Sequence, residues 1–256
     1  MKFIDLNCDM GEMPEVIANG TQEALMAFIT SVNIACGGHA GDEGTMRTTV
    51  EQALRRNVAI GAHPGYADRA NFGRLELDLS ADAIAESVFQ QVSRLAEIAA
   101  KCGSKISHVK AHGALYNQAA RDAAIAAAVA KGVARWGRDV ILVGLAGSQM
   151  LDVFREAGFG IAAEAFADRC YEPDGSLRSR KFADGLILDP AEAAEQAFCI
   201  AEIGSVVAAG GRDIRLNAQT ICIHSDTPGS VKIAGAVAHR LREAGIALRP
   251  LAQRAS

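Results

Sequence analysis

Ionisable and amide side chains recur two residues apart in several short apolar runs of this chain. Asp5, Asn7 and Asp9 alternate in KFIDLNCD, and His108, Lys110 and His112 alternate in ISHVKAH. Glu164 and Asp168 fall in GIAAEAFAD and His224 and Asp226 in TICIHSD, while Asn33, His39 and His63 lie in or just after two further runs. Residues two apart on a strand share a face, so each run presents its polar groups together. An isolated buried charge is prohibitively costly, and this many charged strand ends imply one shared polar cavity. Imidazoles in it can serve as neutral bases or metal ligands, with Asp9, Glu164 and Asp168 orienting them or sharing protons. Lys110, partly desolvated and flanked by two histidines, is expected to have a lowered pKa and to donate a proton or neutralise a developing oxyanion. Asp5 and His108 lie deepest and read as structural groups. Asp42 reads first as a helix cap, and Arg74 and Arg169 either pair with acids or hold a substrate carboxylate.

The chemistry narrows further by what is missing. There is no GxSxG elbow and no cysteine in a nucleophile motif, so water-mediated hydrolysis or proton transfer fits better than an acyl-enzyme. No HExxH motif occurs. An Asp with two histidines from different strands is a plausible metal site, and spacing alone leaves it open. The glycines of NIACGGHAGDEGTM and GAHPGY suit either tight turns or close backbone approach to an anion.

These groups need a scaffold that aligns many strand ends. Strands are expected at KFIDLNCD, SVNIAC, VAIGAH, ISHVKAH, DVILVGL, GIAAEAFAD and TICIHSD, with IALRPL as a late eighth. Helices are expected over 43–56, 81–102, 118–135, 148–157, 190–209 and 229–244. Ser80, Asp189–Pro190 and Thr227–Pro228 supply start signals, and Gly103, Gly158 and Gly245 supply stops. Seven or eight βα units predict a parallel sheet closed into a TIM-like barrel, with polar strand ends at its catalytic mouth. An open doubly wound sheet is the alternative, without the glycine-rich phosphate turn it often carries. Residues 169–187 form the one long irregular connection, a candidate lid or substrate-binding loop.

Composition agrees with one α/β domain over residues 1–256: half the residues are hydrophobic and 22% are charged. A net charge of −4 argues against a nucleic-acid surface. Apolar runs too short for a membrane span, and an N-terminus unlike a secretory signal, lead to the expectation of a soluble cytoplasmic protein. Six scattered cysteines without a CxxC pair read as free thiols.

Seven ordered motifs, DLNCDMGE, NIACGGHAGD, GAHPGY, FGR, HVKAHGALYN, EAFADRCYEPDGSL and TICIHSDTPG, together resemble the LamB/YcsF family, also known as the A-type component of 5-oxoprolinase. The resemblance runs from about Phe3 to Ile246. It implies a seven-stranded (β/α)7 barrel of the glycoside hydrolase/deacetylase type. It also implies a share in ATP-dependent opening of 5-oxoproline to L-glutamate alongside two partner subunits. The chain carries no GxxxxGK[ST] loop, so ATP would be bound by the partners, and a divalent metal is left undecided. Matching site positions are Asn7, Asp9, Glu12, Asn33, His39, Asp42, His63, Arg74, Lys110, His112, Tyr116, Glu164, Asp168, Arg169, His224 and Asp226. Of these, Asp9, His39, His63, Lys110, His112 and Glu164 are expected in catalysis. Asn7, Asn33, Arg74, Tyr116, Asp168, Arg169, His224 and Asp226 are expected to bind substrate. A metal-dependent sugar or amide deacetylase and a non-catalytic scaffold are the alternatives. The chain departs from the family at Ala111 (usually proline), Gly38 (phenylalanine), Ser225 (glycine) and Leu75 (a second arginine). Gly38 is expected to loosen the turn before His39.

Overall fold

Alternation of inward polar and outward apolar residues builds the inner ring of strands. The computed structural model describes residues 2–251. In it, β1 (Phe3–Met10), β2 (Ser31–Ala35), β3 (Ala59–His63), β4 (His108–Lys110), β5 (Ile141–Leu145) and β6 (Gly160–Phe166) run parallel in that order. After a two-stranded antiparallel hairpin, β7 (Ser205–Val207) and β8 (Asp213–Arg215), β9 (Thr220–Cys222) pairs with both β6 and β1 and closes a seven-stranded barrel. The late eighth strand does not enter the ring. β10 (Ala247–Leu248) pairs only with Phe3 and Ile4 at the start of β1. Leu251, just beyond it, packs on Val143 and Ala162, with Ile141 alongside. Ile141 and Val143 pair in register with His108 and Lys110, and Val143 pairs with Ala162, so Leu251 stoppers the ring.

Helices shield the strands. They are α1 (Pro14–Ala18), α2 (Thr21–Leu25), α3 (Glu43–Arg55), α4 (Ala81–Lys101), α5 (Gly113–Arg121), α6 (Ala123–Trp136), α7 (Met150–Glu156), α8 (Pro190–Phe198) and α9 (Ser230–Glu243). The outward residues Ile4, Leu6, Cys8 and Met10 of β1 are all nearly or fully buried in the helix-packed core. Among the described residues, no helix is long and apolar enough to cross a membrane.

Three departures from the expected elements have local causes. The helix expected over 118–135 is two helices, because Asp122 turns extended and its carboxylate caps Ala124 and Ile125. The helix expected over 190–209 passes through a π-helical turn at Cys199–Ile203 and ends at Gly204, whose φ of 74° is left-handed. The hairpin follows, turned by Gly210 and Gly211. Finally, residues 64–80 form a second long connection, which carries Phe72 and Arg74 to the cavity.

Register sets the interior. Asp9, Asn33, Gly61 and His108 are in-register partners across four neighbouring strands. Gly61 leaves the space into which His108 leans: a Cβ there would lie 2.1 Å from His108 Nε2. His108 thereby reaches Asn33 Oδ1 at 2.9 Å, with its other nitrogen 2.9 Å from Ser107 Oγ. It is the structural histidine expected. Below, Asp5 is fully buried and accepts hydroxyl hydrogen bonds from Thr30 (2.6 Å), Ser31 (2.6 Å) and Thr220 (2.5 Å). These contacts tie β1 to the start of β2 and to β9. Asp5→Ala removes the common acceptor of three hydroxyls and should cost about 3 kcal/mol. Urea unfolding should show a lower midpoint at an unchanged slope, and an unchanged midpoint would remove Asp5 from the set of closing contacts.

Candidate active site

The strand ends open into a cavity of about 1190 Å³, lined by Asp9, Glu12, His63, Lys110 and His112 among others. At its base the Lys110 ammonium lies 3.0 Å from Asp9 Oδ1 and 2.9 Å from Glu164 Oε1. It is also 3.4 Å from Asn7 Oδ1 and 3.1 Å from Cys222 Sγ. Burial by itself would lower the Lys110 pKa, but the Asp9 and Glu164 carboxylates outweigh it and hold the pKa well above the ordinary lysine value. The expectation of a lowered pKa is therefore reversed. Its sequence neighbours are histidines, but the groups that face it are carboxylates from β1 and β6. Lys110 is a fixed cation, suited to holding negative charge rather than to releasing a proton.

The amides around it form a closed network. Asn7 Nδ2 donates to Glu164 Oε1 (2.9 Å) and Thr220 Oγ1 (2.7 Å). Asn33 Nδ2 donates to Asn7 Oδ1 (2.7 Å) and Asp9 Oδ1 (2.8 Å). Asn7 and Asn33 thus orient Asp9 and Glu164 from within the barrel. Burial would raise Asp9, yet His63 and Lys110 hold it well below the carboxylate range. Tyr116 is also buried, and burial together with the Glu164 charge raises its phenol well above the usual value.

Above Asp9 sit three imidazoles. His63 Nδ1 lies 2.8 Å from the Lys110 carbonyl, leaving Nε2 toward Asp9 Oδ2 (3.3 Å) and toward His112 Nδ1 (3.0 Å). Burial opposes its charge, and Asp9 more than compensates, so His63 titrates above an ordinary histidine. His39 does not face the cavity opening. It stacks on His112 with ring centroids 3.6 Å apart and bonds Glu12 Oε1 at 2.9 Å, and burial pulls its pKa down to about 3. Glu12 is the centre of this group, and the strand-end pattern gave no reason to single it out. It lies in the turn after β1, beyond the alternating residues.

The rim differs in character. Asp168 is fully buried and accepts from the His224 backbone N–H (3.0 Å), His224 Nδ1 (2.9 Å) and Thr227 Oγ1 (2.7 Å). It therefore positions His224, which stacks on Phe166, rather than facing a ligand. Arg169 gives Nε to the Gly185 carbonyl (3.2 Å) and a terminal nitrogen to the Arg178 carbonyl (2.6 Å), bracing the 169–187 loop that walls the cavity. Arg74 stands at the mouth on Asp226 (2.5 Å), and Arg180, which strand reading misses because it lies in that loop, meets the same carboxylate at 2.7 Å. Asp42 caps α3 in a reciprocal capping box with Thr45.

The departures from the family pattern also find their places. Gly38 does not loosen its turn: a Cβ there would lie 2.3 Å from Gln91 Oε1. Gln91 fills the space and bonds both the N–H (3.0 Å) and the carbonyl (2.8 Å) of Gly65. Ser225 donates to the Asp9 carbonyl at 2.7 Å. Ala111 is buried, and Leu75 is exposed.

Burial would push Asp168 up, but the His224 charge and the hydrogen bonds from His224 and Thr227 hold it below the ordinary carboxylate value. A depressed folded-state pKa contributes stability that is present above the unfolded value and lost as pH falls through the folded one. Asp168→Asn should therefore flatten the acid limb of stability below about pH 4, read as urea midpoints at pH 7 and pH 3. Equal losses at both pH values would rule out this contribution.

The arrangement has clear relatives. The model of the LamB/YcsF family matches residues 4–256. A protein of Chloroflexus aggregans, named as a 5-oxoprolinase subunit, is 48% identical over 97% of this chain and 99% of its own length. The crystal structure of a lactam utilization protein from Thermus thermophilus superposes with a TM-score of 0.90 at 37% identity, covering 97% of this chain and 99% of that one. A family 4 carbohydrate esterase from Streptomyces lividans, with a TM-score of 0.52 at 10% identity over 96% of this chain and 91% of its own, shares the barrel alone. With its closed seven-stranded barrel and this polar mouth, the chain belongs to the LamB/YcsF family.

Proposed function

We propose that this chain is the ring-opening subunit of an ATP-dependent 5-oxoprolinase, a cytoplasmic hydrolase acting on a cyclic amide. The names of its relatives support the substrate and the existence of partner subunits. The observation that carries the reading is the buried Lys110 ammonium, fixed between Asp9 and Glu164 beside His63 and His112 at the cavity base. Hydrolysis of an amide places negative charge on the carbonyl oxygen, and a preorganised cation stabilises it without rearrangement.

Two partner subunits bind ATP and activate the lactam carbonyl. In this chain, water positioned at the Asp9–His63–His112 corner loses a proton to the site and bonds to the carbonyl carbon. Lys110 steadies the oxygen, the C–N bond breaks, the ring nitrogen takes a proton to become the amine of L-glutamate, and the phosphoryl group drawn from ATP leaves as inorganic phosphate. Asn7, Asn33 and Glu164 hold Lys110 and Asp9 in place, and Tyr116 closes the side above Glu164. Arg74, with a half-exposed side chain at the mouth, is the group free to take the substrate carboxylate by exchanging Asp226 for it. His224 and Arg169 shape the wall.

The decisive measurement is ATP-dependent glutamate formation by the reconstituted complex, with this chain present and withheld. Activity without it would make the chain a scaffold. Lys110→Ala and His112→Ala should each lower the rate at least ~100-fold, the loss of one strong transition-state contact, with circular dichroism confirming the fold. Arg74→Ala should raise KM about 10-fold with kcat little changed, as loss of uniform binding does. Wild-type rates in both Lys110→Ala and His112→Ala would end the assignment.

A further inference from the structure

The corner formed by Glu12, His63 and His112 contains more hydrogen-bond acceptors than protons to fill them. His63 Nδ1 faces the Lys110 carbonyl at 2.8 Å, and His112 Nε2 faces the Phe72 carbonyl at 2.9 Å. A carbonyl oxygen only accepts, so each of those nitrogens bears the ring proton. The remaining nitrogens, His63 Nε2 and His112 Nδ1, are left with lone pairs and lie 3.0 Å apart, with the rings at 89°. Glu12 Oε1, a third acceptor, lies 3.1 Å from His112 Nδ1 and 3.8 Å from His63 Nε2. A single proton on His112 Nδ1 would have to be divided between two acceptors, His63 Nε2 and Glu12 Oε1.

The three separations define a triangle whose centre lies about 2 Å from each atom, the length of a Zn–N or Zn–O bond. The supporting contacts are those that metal ligands use. Both imidazoles are fixed by backbone carbonyls, and Glu12 is held by His39 Nε2 at 2.9 Å. His39 lies within reach of the same point but is no ligand. Its ring is parallel to His112 at 2° and 3.6 Å away, so an ion in the plane of one ring lies well outside the plane of the other. Asp9 Oδ2, 3.3 Å from His63 Nε2, stands on the cavity side, where a fourth position opens.

We propose that Glu12, His63 and His112 bind a single divalent cation of the zinc class. Two imidazoles and one carboxylate select such an ion over magnesium or calcium, which take all-oxygen shells. An ion held there would supply Lewis-acid activation of a water. The site follows from the geometry of the free chain and depends neither on the lactam reading nor on partner subunits.

The test uses the free chain, stripped with a chelator and dialysed into metal-free buffer. Titration with Co2+ should give a visible d–d band that saturates at one equivalent and is lost as Zn2+ displaces it. Glu12→Gln and His112→Asn should weaken uptake at least ~100-fold, while His39→Asn, which removes only support, should weaken it about 10-fold. Circular dichroism checks each variant, and the wild-type titration decides even if a variant fails to fold. No saturable uptake by the wild type, or full affinity in both ligand variants, would overturn the site and assign a shared proton instead. Because no turnover is measured, failure here is separate from failure of the ring-opening assignment.

Discussion

A lysine ammonium that is only 2% exposed in the middle of a barrel sets the terms for everything around it. Desolvating such a charge costs several kcal/mol even after relaxation, and only close opposite charges with further hydrogen bonds recover that cost. Asp9 and Glu164 provide the charges, from strands on either side of the closing strand β9. Asp9 also draws the titration of His63 upward against the effect of burial, and the amide donors of Asn7 and Asn33 bond Glu164 and Asp9. The polar interior links strand to strand around the ring, and it does so because seven strands bring their inward residues to compatible heights. Removing one partner leaves the others buried and uncompensated, so packing and chemistry at this mouth are one problem.

That coupling explains what was legible in the sequence. A period of two with charged inward positions is an unusual pattern, and it located the strands, the mouth and most of the residues that meet there. The closed ring followed from the strand–helix repeat. What stayed hidden depends on contacts between distant segments. Lys110 was read through its neighbours His108 and His112, and its shift came out with the opposite sign because Asp9 and Glu164 lie far away along the chain. Arg169 was read as pairing with an acid or holding a substrate carboxylate, whereas two of its guanidinium nitrogens bond backbone carbonyls of its own loop. Glu12 lies one turn past the last alternating residue, where a strand pattern has nothing to say.

Some misses were signalled and overridden. Asp122 interrupts an alanine-rich stretch that otherwise reads as one helix, and its capping role is what divides that stretch. The Gly210–Gly211 pair is a hairpin signal set at the edge of an expected helix, where the helical pattern of the preceding residues masked it. Gly38 shows the converse limit. A missing side chain suggested slack, while Gln91, supplied by α4, fills the space and ties down the backbone at Gly65.

The stopper at the opposite end of the ring has its own consequence. Among the described residues, Asp5 joins Ser31 and Thr220 and Leu251 packs on Val143 and Ala162, so that end of the barrel is filled and the polar mouth is its doorway. Arrival and departure through that mouth compete for one passage. A molecule handed over at that doorway by a docked protein could depart only past it, and traffic through a single opening becomes part of the turnover itself.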